Sequence, residues 1–149
     1  STLELQAIDQ KTEEIRKFFT DTPGTLELRV QSLDLETIQT SPGQWQESLA
    51  EGILQETPAF KEISFINLEG REVTRKSRYD GDSELLYVSE LPKFKEAVRG
   101  SNFIGEVYYT LSGPMVTLAA PASLFMKRRE LRPSSAGGMG TALLSIIGI

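Results

Sequence analysis

The sequence predicts an α+β fold in which helices come first and an antiparallel sheet of about five strands follows, with the long amino-terminal helix packed against that sheet. Two observations indicate this. Before Phe60, apolar residues recur at helical spacing in two stretches, and after Phe60 the spacing becomes strand-like, with turn-forming residues between the segments. Of the 149 residues 39% are hydrophobic, enough to close one core, so we expect a single domain with a helix at 1–22 and a sheet core at 59–149.

The leading segment predicts an amphipathic helix. Its apolar stripe consists of Leu5, Ile8, Ile15 and Phe19. Charged residues occupy most of the remaining surface of this helix. It should end before Pro23 and Gly24, because a proline with fixed φ followed by a permissive glycine favours a turn.

A second helix is predicted to begin at Ser41 and Pro42, with Ser41 as the cap and Pro42 in the first turn, and to end at Thr57. Trp45 lies near its start, where we interpret the indole as a hydrophobic seal rather than a stacking surface for a ligand. In the intervening stretch, 25–40, the apolar residues are unevenly spaced, so helix and extended structure both remain open.

The segments after Phe60 predict five strands and one short helix. Strands at 62–68 and 71–77 form a hairpin through a turn at Glu69 and Gly70. A short helix is predicted at 91–100, opened by proline and stopped by glycine. The remaining strands are predicted at 103–111, 115–120 and 141–149.

The composition excludes several common kinds of chemistry. The chain contains no Cys and no His, which removes thiolate nucleophiles, imidazole acid–base catalysis and the usual Cys/His zinc sites. The formal net charge of -5 argues against a nucleic-acid partner, because such binding depends on phosphate neutralisation by Lys and Arg. No apolar run approaches the roughly 20 residues that a membrane-spanning helix needs.

Charge is unevenly distributed along the chain. No Lys or Arg occurs between Arg29 and Lys61, whereas beyond Glu106 the only acid is Glu130, inside a basic cluster at 127–132. Solvated surface charge is the usual role of such runs. The alternative for the basic cluster is contact with anionic lipid headgroups, which requires a nearby membrane.

Three segments, taken in their order along the chain, are more informative than the overall pattern of helices and strands. Residues 58–75, PAFKEISFINLEGREVTR, combine an apolar strand, an acidic residue with glycine, and a return strand. Residues 91–109, LPKFKEAVRGSNFIGEVYY, combine a short helix, a glycine, an aromatic residue and the pairs Ile-Gly and Val-Tyr. Residues 113–121, GPMVTLAAP, form a strand that closes on Ala-Pro. In this order and with these loop lengths, the segments resemble the Cache family, whose sheet is PAS-like.

The resemblance implies an extracytoplasmic ligand-sensing domain of a bacterial or archaeal transmembrane receptor, such as a sensor histidine kinase or a chemoreceptor. It implies a small-molecule ligand, signalling through the amino-terminal helix, and a membrane reached through flanking segments. The chain begins at Ser1, so we expect an excised piece of a longer protein. The helix stripe also predicts a homodimer through that helix. The Arg-x-Trp-Tyr run of the amino-acid-binding subset is absent, so amino acids are not favoured ligands.

A ligand cavity in such a domain would lie on one face of the sheet, beside the loop and the short helix that follow the hairpin. Arg75 is the preferred anchor for an anionic ligand because guanidinium offers a bidentate fork, although pairing with a surface acid is the commoner role. Strand alternation places Val73, Arg75 and Ser77 on one side of the return strand. The other candidate ligand-binding residues are Arg78, Tyr79, Tyr87, Tyr108 and Thr117.

The tyrosines suit a pocket because a phenol combines an apolar body with one hydrogen-bonding tip, although core packing is their commoner role. Tyr108 and Tyr109 are adjacent in a predicted strand, so at most one of them can line a given cavity. Thr117 is the polar candidate on the following strand, where it shares a face with Met115.

Asp80, Asp82 and Glu84 place acids at alternating positions of a loop, as calcium sites do. The match is poor because Gly81 falls between the first two acids and no distal bidentate Glu is in register. We therefore predict no metal, no cofactor and no catalytic residues, since nothing in the sequence positions a nucleophile. Beside the sensor, two rival hypotheses remain: a ligand-free structural or dimerisation module of the same fold, and a small enzyme that uses carboxylates and Lys.

Overall fold

An antiparallel sheet with helices on both faces forms the centre of the fold. The computed structural model describes residues 2–21, 31–36, 42–78, 84–124 and 141–148. Its helices are α1 (Thr2–Asp21), α2 (Pro42–Glu56) and α3 (Pro92–Val98), with a 3-10 turn at Ala122–Leu124. Its strands are β1 (Phe60–Ile66), β2 (Glu72–Ser77), β3 (Phe103–Ile104), β4 (Tyr108–Thr110), β5 (Gly113–Pro121) and β6 (Leu143–Gly148).

The strand order is β2-β1-β6-β5-β3, and β4 pairs with the other end of β5. The strand that comes last in the sequence therefore lies in the middle of the sheet, between β1 and β5. The described part confirms the predicted α+β class, with six strands rather than about five.

The additional strand arises because the predicted strand 103–111 is interrupted. β3 and β4 both pair with β5, but the chain leaves the ladder between them at Gly105. The Gly105 N–H donates to the Thr117 carbonyl at 2.8 Å, and a β-carbon at position 105 would lie 3.3 Å from that same oxygen. Glycine permits this close approach, which ends β3 early.

The hairpin turn between β1 and β2 is built from side-chain and backbone hydrogen bonds. The Asn67 Oδ1 accepts the N–H groups of Glu69 at 3.0 Å and Arg71 at 3.1 Å. Gly70 has a φ of 81°, and a β-carbon there would lie 2.6 Å from that of Ser89. Only glycine fits at this position, and the turn lies where the sequence predicted it, at Glu69 and Gly70.

The larger core lies between α2 and the sheet. Its members are the α2 residues Trp45, Leu49, Ala50, Ile53 and Leu54, which pack with Phe60, Ile63, Phe65, Val116, Leu118, Ala122, Leu144 and Ile146. Trp45 is 3% exposed and meets Phe65 edge-on, with ring centroids 5.9 Å apart, so it is the predicted hydrophobic seal. Each large apolar side chain buried here contributes about 1.5 to 3 kcal/mol to stability.

Buried side-chain hydrogen bonds also join α2 to β2 and to Thr141, which lies just before β6. The Gln46 side chain of α2 accepts a hydrogen bond from the Thr74 hydroxyl of β2, and its Nε2 donates to Thr141 Oγ1 at 2.9 Å. All three residues are buried, and each hydrogen bond satisfies a polar group that burial would otherwise leave unpaired. These hydrogen bonds fix the register of α2 on the sheet.

The first helix contacts the sheet at β5. Its described side chains are exposed, with Leu3 at 78% and Leu5 at 62%. The side chains of Ile8, Ile15 and Phe19, the rest of the predicted stripe, lie outside the described residues. None of the described helices is long and apolar enough to cross a membrane.

Candidate functional site

A cavity of about 260 Å³ opens on the face of the sheet opposite α2. It lies between the start of α3, β5 and the connection from β3 to β4. The apolar wall is formed by Leu91, Pro92 and Phe103, and the polar groups come from Lys93, Glu106, Tyr108 and Thr117, with Gly105 between them. An apolar hollow with a few converging polar side chains is the usual form of a small-molecule site.

Two of the predicted ligand residues line this cavity. Thr117 of β5 faces it because its neighbour Leu118 points into the α2 core, and alternation sends the two side chains to opposite faces. Tyr108 of β4 also lines the cavity, whereas Tyr109 is 71% exposed and absent from its lining. The structure thus brings together Tyr108 and Thr117 from separate strands.

Lys93 is a cavity residue that the sequence analysis missed. Its side chain is half-buried, and its Nζ donates a hydrogen bond to Ser145 Oγ of β6 at 3.0 Å. Burial lowers the pKa of Lys93, and the nearby carboxylates of Glu72 and Glu62 partly oppose that shift. Lys93 therefore brings a positive charge to the cavity wall at an energetic cost that an exposed lysine does not have.

Arg75 lies on the same face of the sheet as the cavity, but its guanidinium forms ion pairs with two acids. Its Nε lies 3.0 Å from Glu62 Oε1, and its Nη2 contacts Glu72 Oε1. Glu72 is 2% exposed and also accepts the Leu86 N–H at 2.8 Å. Desolvation raises the pKa of Glu62, and the Arg75 charge opposes that effect. The guanidinium fork thus contacts these acids and is not among the groups that line the cavity.

A β-bulge explains why Glu72 and Arg75 meet. Residues three apart in a regular strand point to opposite faces, but the register of β1 and β2 shifts between Phe65 and Ile66. The additional residue in β2 is Val73, which packs against the α2 core. The prediction that Val73 and Arg75 share a side is therefore wrong, because the bulge reverses the alternation and turns Glu72 toward Arg75.

The structure places Arg78 at the end of α2. Its guanidinium donates to the carbonyl oxygens of Phe60 at 2.7 Å, of Thr57 at 3.0 Å and of Leu54. Such bonds satisfy carbonyls that a helix end leaves without intrahelical partners. Arg78 therefore holds α2 to β1 and is not in the lining of the cavity.

Tyr87 is also not among the residues that line the cavity. It is 70% exposed, forms a single bridge with Arg71, and lies 5.9 Å below the Arg71 guanidinium carbon, a cation–π distance. The candidate Tyr79 lies outside the described residues, as do Asp80, Asp82 and the basic cluster at 127–132. Most of the undecided stretch 25–40 also lies outside them.

The sequence matches no protein-family model, and no curated protein matches it significantly. Among solved structures, the ligand-binding domain of the Campylobacter jejuni chemoreceptor Tlp3, in complex with L-valine, has a TM-score of 0.59 at 14% identity, over 96% of this chain and 56% of that one. The chain shares the α+β fold of that ligand-binding domain.

Two further solved structures share this fold. The extracellular domain of a protein described as a histidine kinase, vpHK1S-Z8, has a TM-score of 0.57 at 16% identity, over 99% of this chain and 57% of that one. The ligand-binding domain of the Pseudomonas aeruginosa PAO1 amino acid chemoreceptor PctC, in complex with GABA, has a TM-score of 0.52 at 15% identity. The match covers 99% of this chain and 57% of that one. The chain thus spans little more than half the length of these sensor domains.

Proposed function

We propose that this chain is the extracytoplasmic ligand-sensing domain of a transmembrane receptor of the histidine kinase or chemoreceptor type. It binds a small molecule in the cavity beside α3 and passes the signal through α1. The observation that carries the proposal is the cavity itself, in which Lys93, Tyr108 and Thr117 converge on an apolar wall within a sensor fold. The domain has no catalytic role, and any enzymatic output belongs to another part of the receptor.

The contact between α1 and β5 supports the signalling part of the proposal. β5 contributes Thr117 to the cavity and also contacts α1, so one strand connects the binding site to the helix. A ligand that binds two conformations with different affinities shifts the equilibrium between them by at most that difference in binding free energy. Ligand contacts that move β5 would therefore change the packing of α1.

The exposed leucine of the predicted stripe supports a homodimer through α1. Leu5 is 62% exposed, and a partner copy would cover it. Sedimentation equilibrium at high protein concentration tests this. A dimer that Leu5→Ser dissociates supports the proposal, with Leu3→Ser, on the other side of the helix, as the control. A strict monomer contradicts it.

Ligand binding is tested by thermal-shift screening of a metabolite library, because a compound that binds only the folded state must raise its melting temperature. The adjacent tyrosines provide matched variants. Tyr108→Ala, which alters the cavity wall, should abolish the shift, and Tyr109→Ala, which alters the outer side of the same strand, should retain it. If no compound raises the melting temperature, the chain is better described as a ligand-free structural or dimerisation module.

A further inference from the structure

We infer that Lys93 selects the ligand by binding a carboxylate, so that the cavity takes a small organic monocarboxylate. The inference deepens the proposed function and rests on it. It assigns the role of anion anchor to a residue of α3 rather than to Arg75.

The hydrogen bonds of Lys93 carry the inference. An ammonium group has three N–H donors, and one of them goes to Ser145 Oγ. Within the described ranges, no other acceptor lies within hydrogen-bonding distance of Nζ, and no carboxylate lies within ion-pair distance. A half-buried ammonium at a cavity wall thus keeps two donors for a group that enters the cavity.

The acids near Lys93 have other partners. Glu62 and Glu72 share the single guanidinium of Arg75, which leaves that trio with one net negative charge. This charge favours the protonated form of Lys93 without forming a contact with it. Glu106 belongs to the cavity lining but is exposed, so water screens its charge.

The cavity walls limit the rest of the ligand. One ammonium with two available donors matches the single charge and two oxygens of a carboxylate better than the double charge of a phosphate monoester. Leu91, Pro92 and Phe103 supply an apolar wall, which favours a ligand with a short hydrocarbon portion. The hydroxyls of Tyr108 and Thr117 can bind one further polar group.

The test compares carboxylates with isosteric neutral probes. Propionate, butyrate, valerate and 2-hydroxybutyrate are titrated into the protein by calorimetry, alongside the corresponding amides, which keep the shape and lose the charge. Binding is then measured for Lys93→Met and for Lys93→Arg, which keeps the charge. The control is Lys95→Met, which removes an exposed lysine of the same helix whose Nζ lies 3.5 Å from Glu90 Oε2, ahead of that helix. Circular dichroism establishes that each variant is folded.

The expected result is that at least one carboxylate binds and its amide does not. Lys93→Met should weaken binding by about tenfold or more, the loss typical of a hydrogen bond to a charged group, whereas Lys95→Met should leave binding unchanged. Equal binding of carboxylate and amide, or full binding by Lys93→Met, overturns the inference but leaves the proposed function intact. The same holds if no carboxylate binds while another compound raises the melting temperature. If no compound of any class binds, the proposed function itself fails.

Discussion

Arg75 joins the carboxylates of Glu62 and Glu72 on the α3 face of the sheet, where Arg75 and Glu72 side chains are 11% and 3% exposed. Replacing it with methionine leaves two acids without their cation. We expect Arg75→Met to lower the free energy of unfolding by about 3 kcal/mol, the loss typical when one partner of a buried ion pair is removed.

The adjacent residue in β2 provides the control for this prediction. Lys76 forms a 3.1 Å ion pair with Glu51 of α2, but that glutamate side chain is 57% exposed. Lys76→Met should therefore change stability little. Urea unfolding measures the free energy of unfolding of both variants. Equal losses of stability would show that burial does not determine how much the Arg75 ion pairs contribute to stability.

Lys93 predicts a pH dependence of stability. Because its pKa is lowered in the folded protein, the unfolded chain holds this proton more tightly. Its contribution to the free energy of unfolding therefore rises with pH, from the lowered folded pKa up to the ordinary lysine value of about 10.4. In Lys93→Met that contribution is absent.

Urea unfolding of wild type and Lys93→Met between about pH 7 and pH 10.4 tests this. The wild type should gain stability relative to the variant as pH rises through the window. The measured quantity is the slope, against pH, of the difference in unfolding free energy between wild type and variant. The lost hydrogen bond to Ser145 and the added methionine packing affect the variant at every pH, so they do not contribute to this slope. A difference that stays constant or moves the opposite way would refute the assignment.

Single residues show how far the sequence predicts this site. Thr117 and Tyr108 are predictable, because strand alternation and amino-acid type are local properties of the chain. The role of Arg75 depends on Glu62 and on a bulge, neither of which the local pattern indicates. Lys93 is likewise identified only by its packing against a strand 52 residues later.

At the scale of elements, alanine variants of two glycines distinguish the effect of backbone strain from that of steric overlap. Gly70 and Gly100 both have positive φ, of 81° and 96°. A β-carbon at Gly70 would overlap Ser89, while at Gly100 nothing lies within 4 Å. Gly100→Ala should therefore destabilise the protein by about 1 to 2 kcal/mol through backbone strain, and Gly70→Ala by about 3 kcal/mol or more.

Thermal unfolding of the two alanine variants checks this prediction. Similar losses would mean that Ser89 moves aside and that conformational strain dominates at both positions. A larger loss for Gly70→Ala would support the packed hairpin turn, which holds the chain of 84–89 against β2.

Element boundaries were partly predictable for the same physical reason. α2, α3 and the hairpin have local signals, namely proline in the first turn and a glycine that the turn requires. The interruption of 103–111 has only Gly105 as its signal, and glycine within a strand pattern is compatible with an unbroken strand. The order of strands is set by long-range pairing of β6 with β1 and β5, which no local pattern specifies.

At the scale of the whole molecule, the proposed signal route predicts a change in the distance between α1 and the sheet. The chain has no native Cys, so Gln6→Cys on α1 and Glu69→Cys at the hairpin turn give two unique and exposed labelling sites. Spin labels at these positions should show a shifted distance distribution when a stabilising compound is added. An unchanged distribution at saturating compound would contradict signalling through α1.

The central claim is that the hollow between α3, β4 and β5 binds a diffusible small molecule. Its most direct test is a two-dimensional amide NMR titration with any compound that raises the melting temperature. We predict saturable shifts concentrated at the amides of residues 91, 93, 103–108 and 117, with weaker shifts in the α2 core. Saturable shifts confined to other parts of the chain, with these residues unperturbed, would contradict the claim.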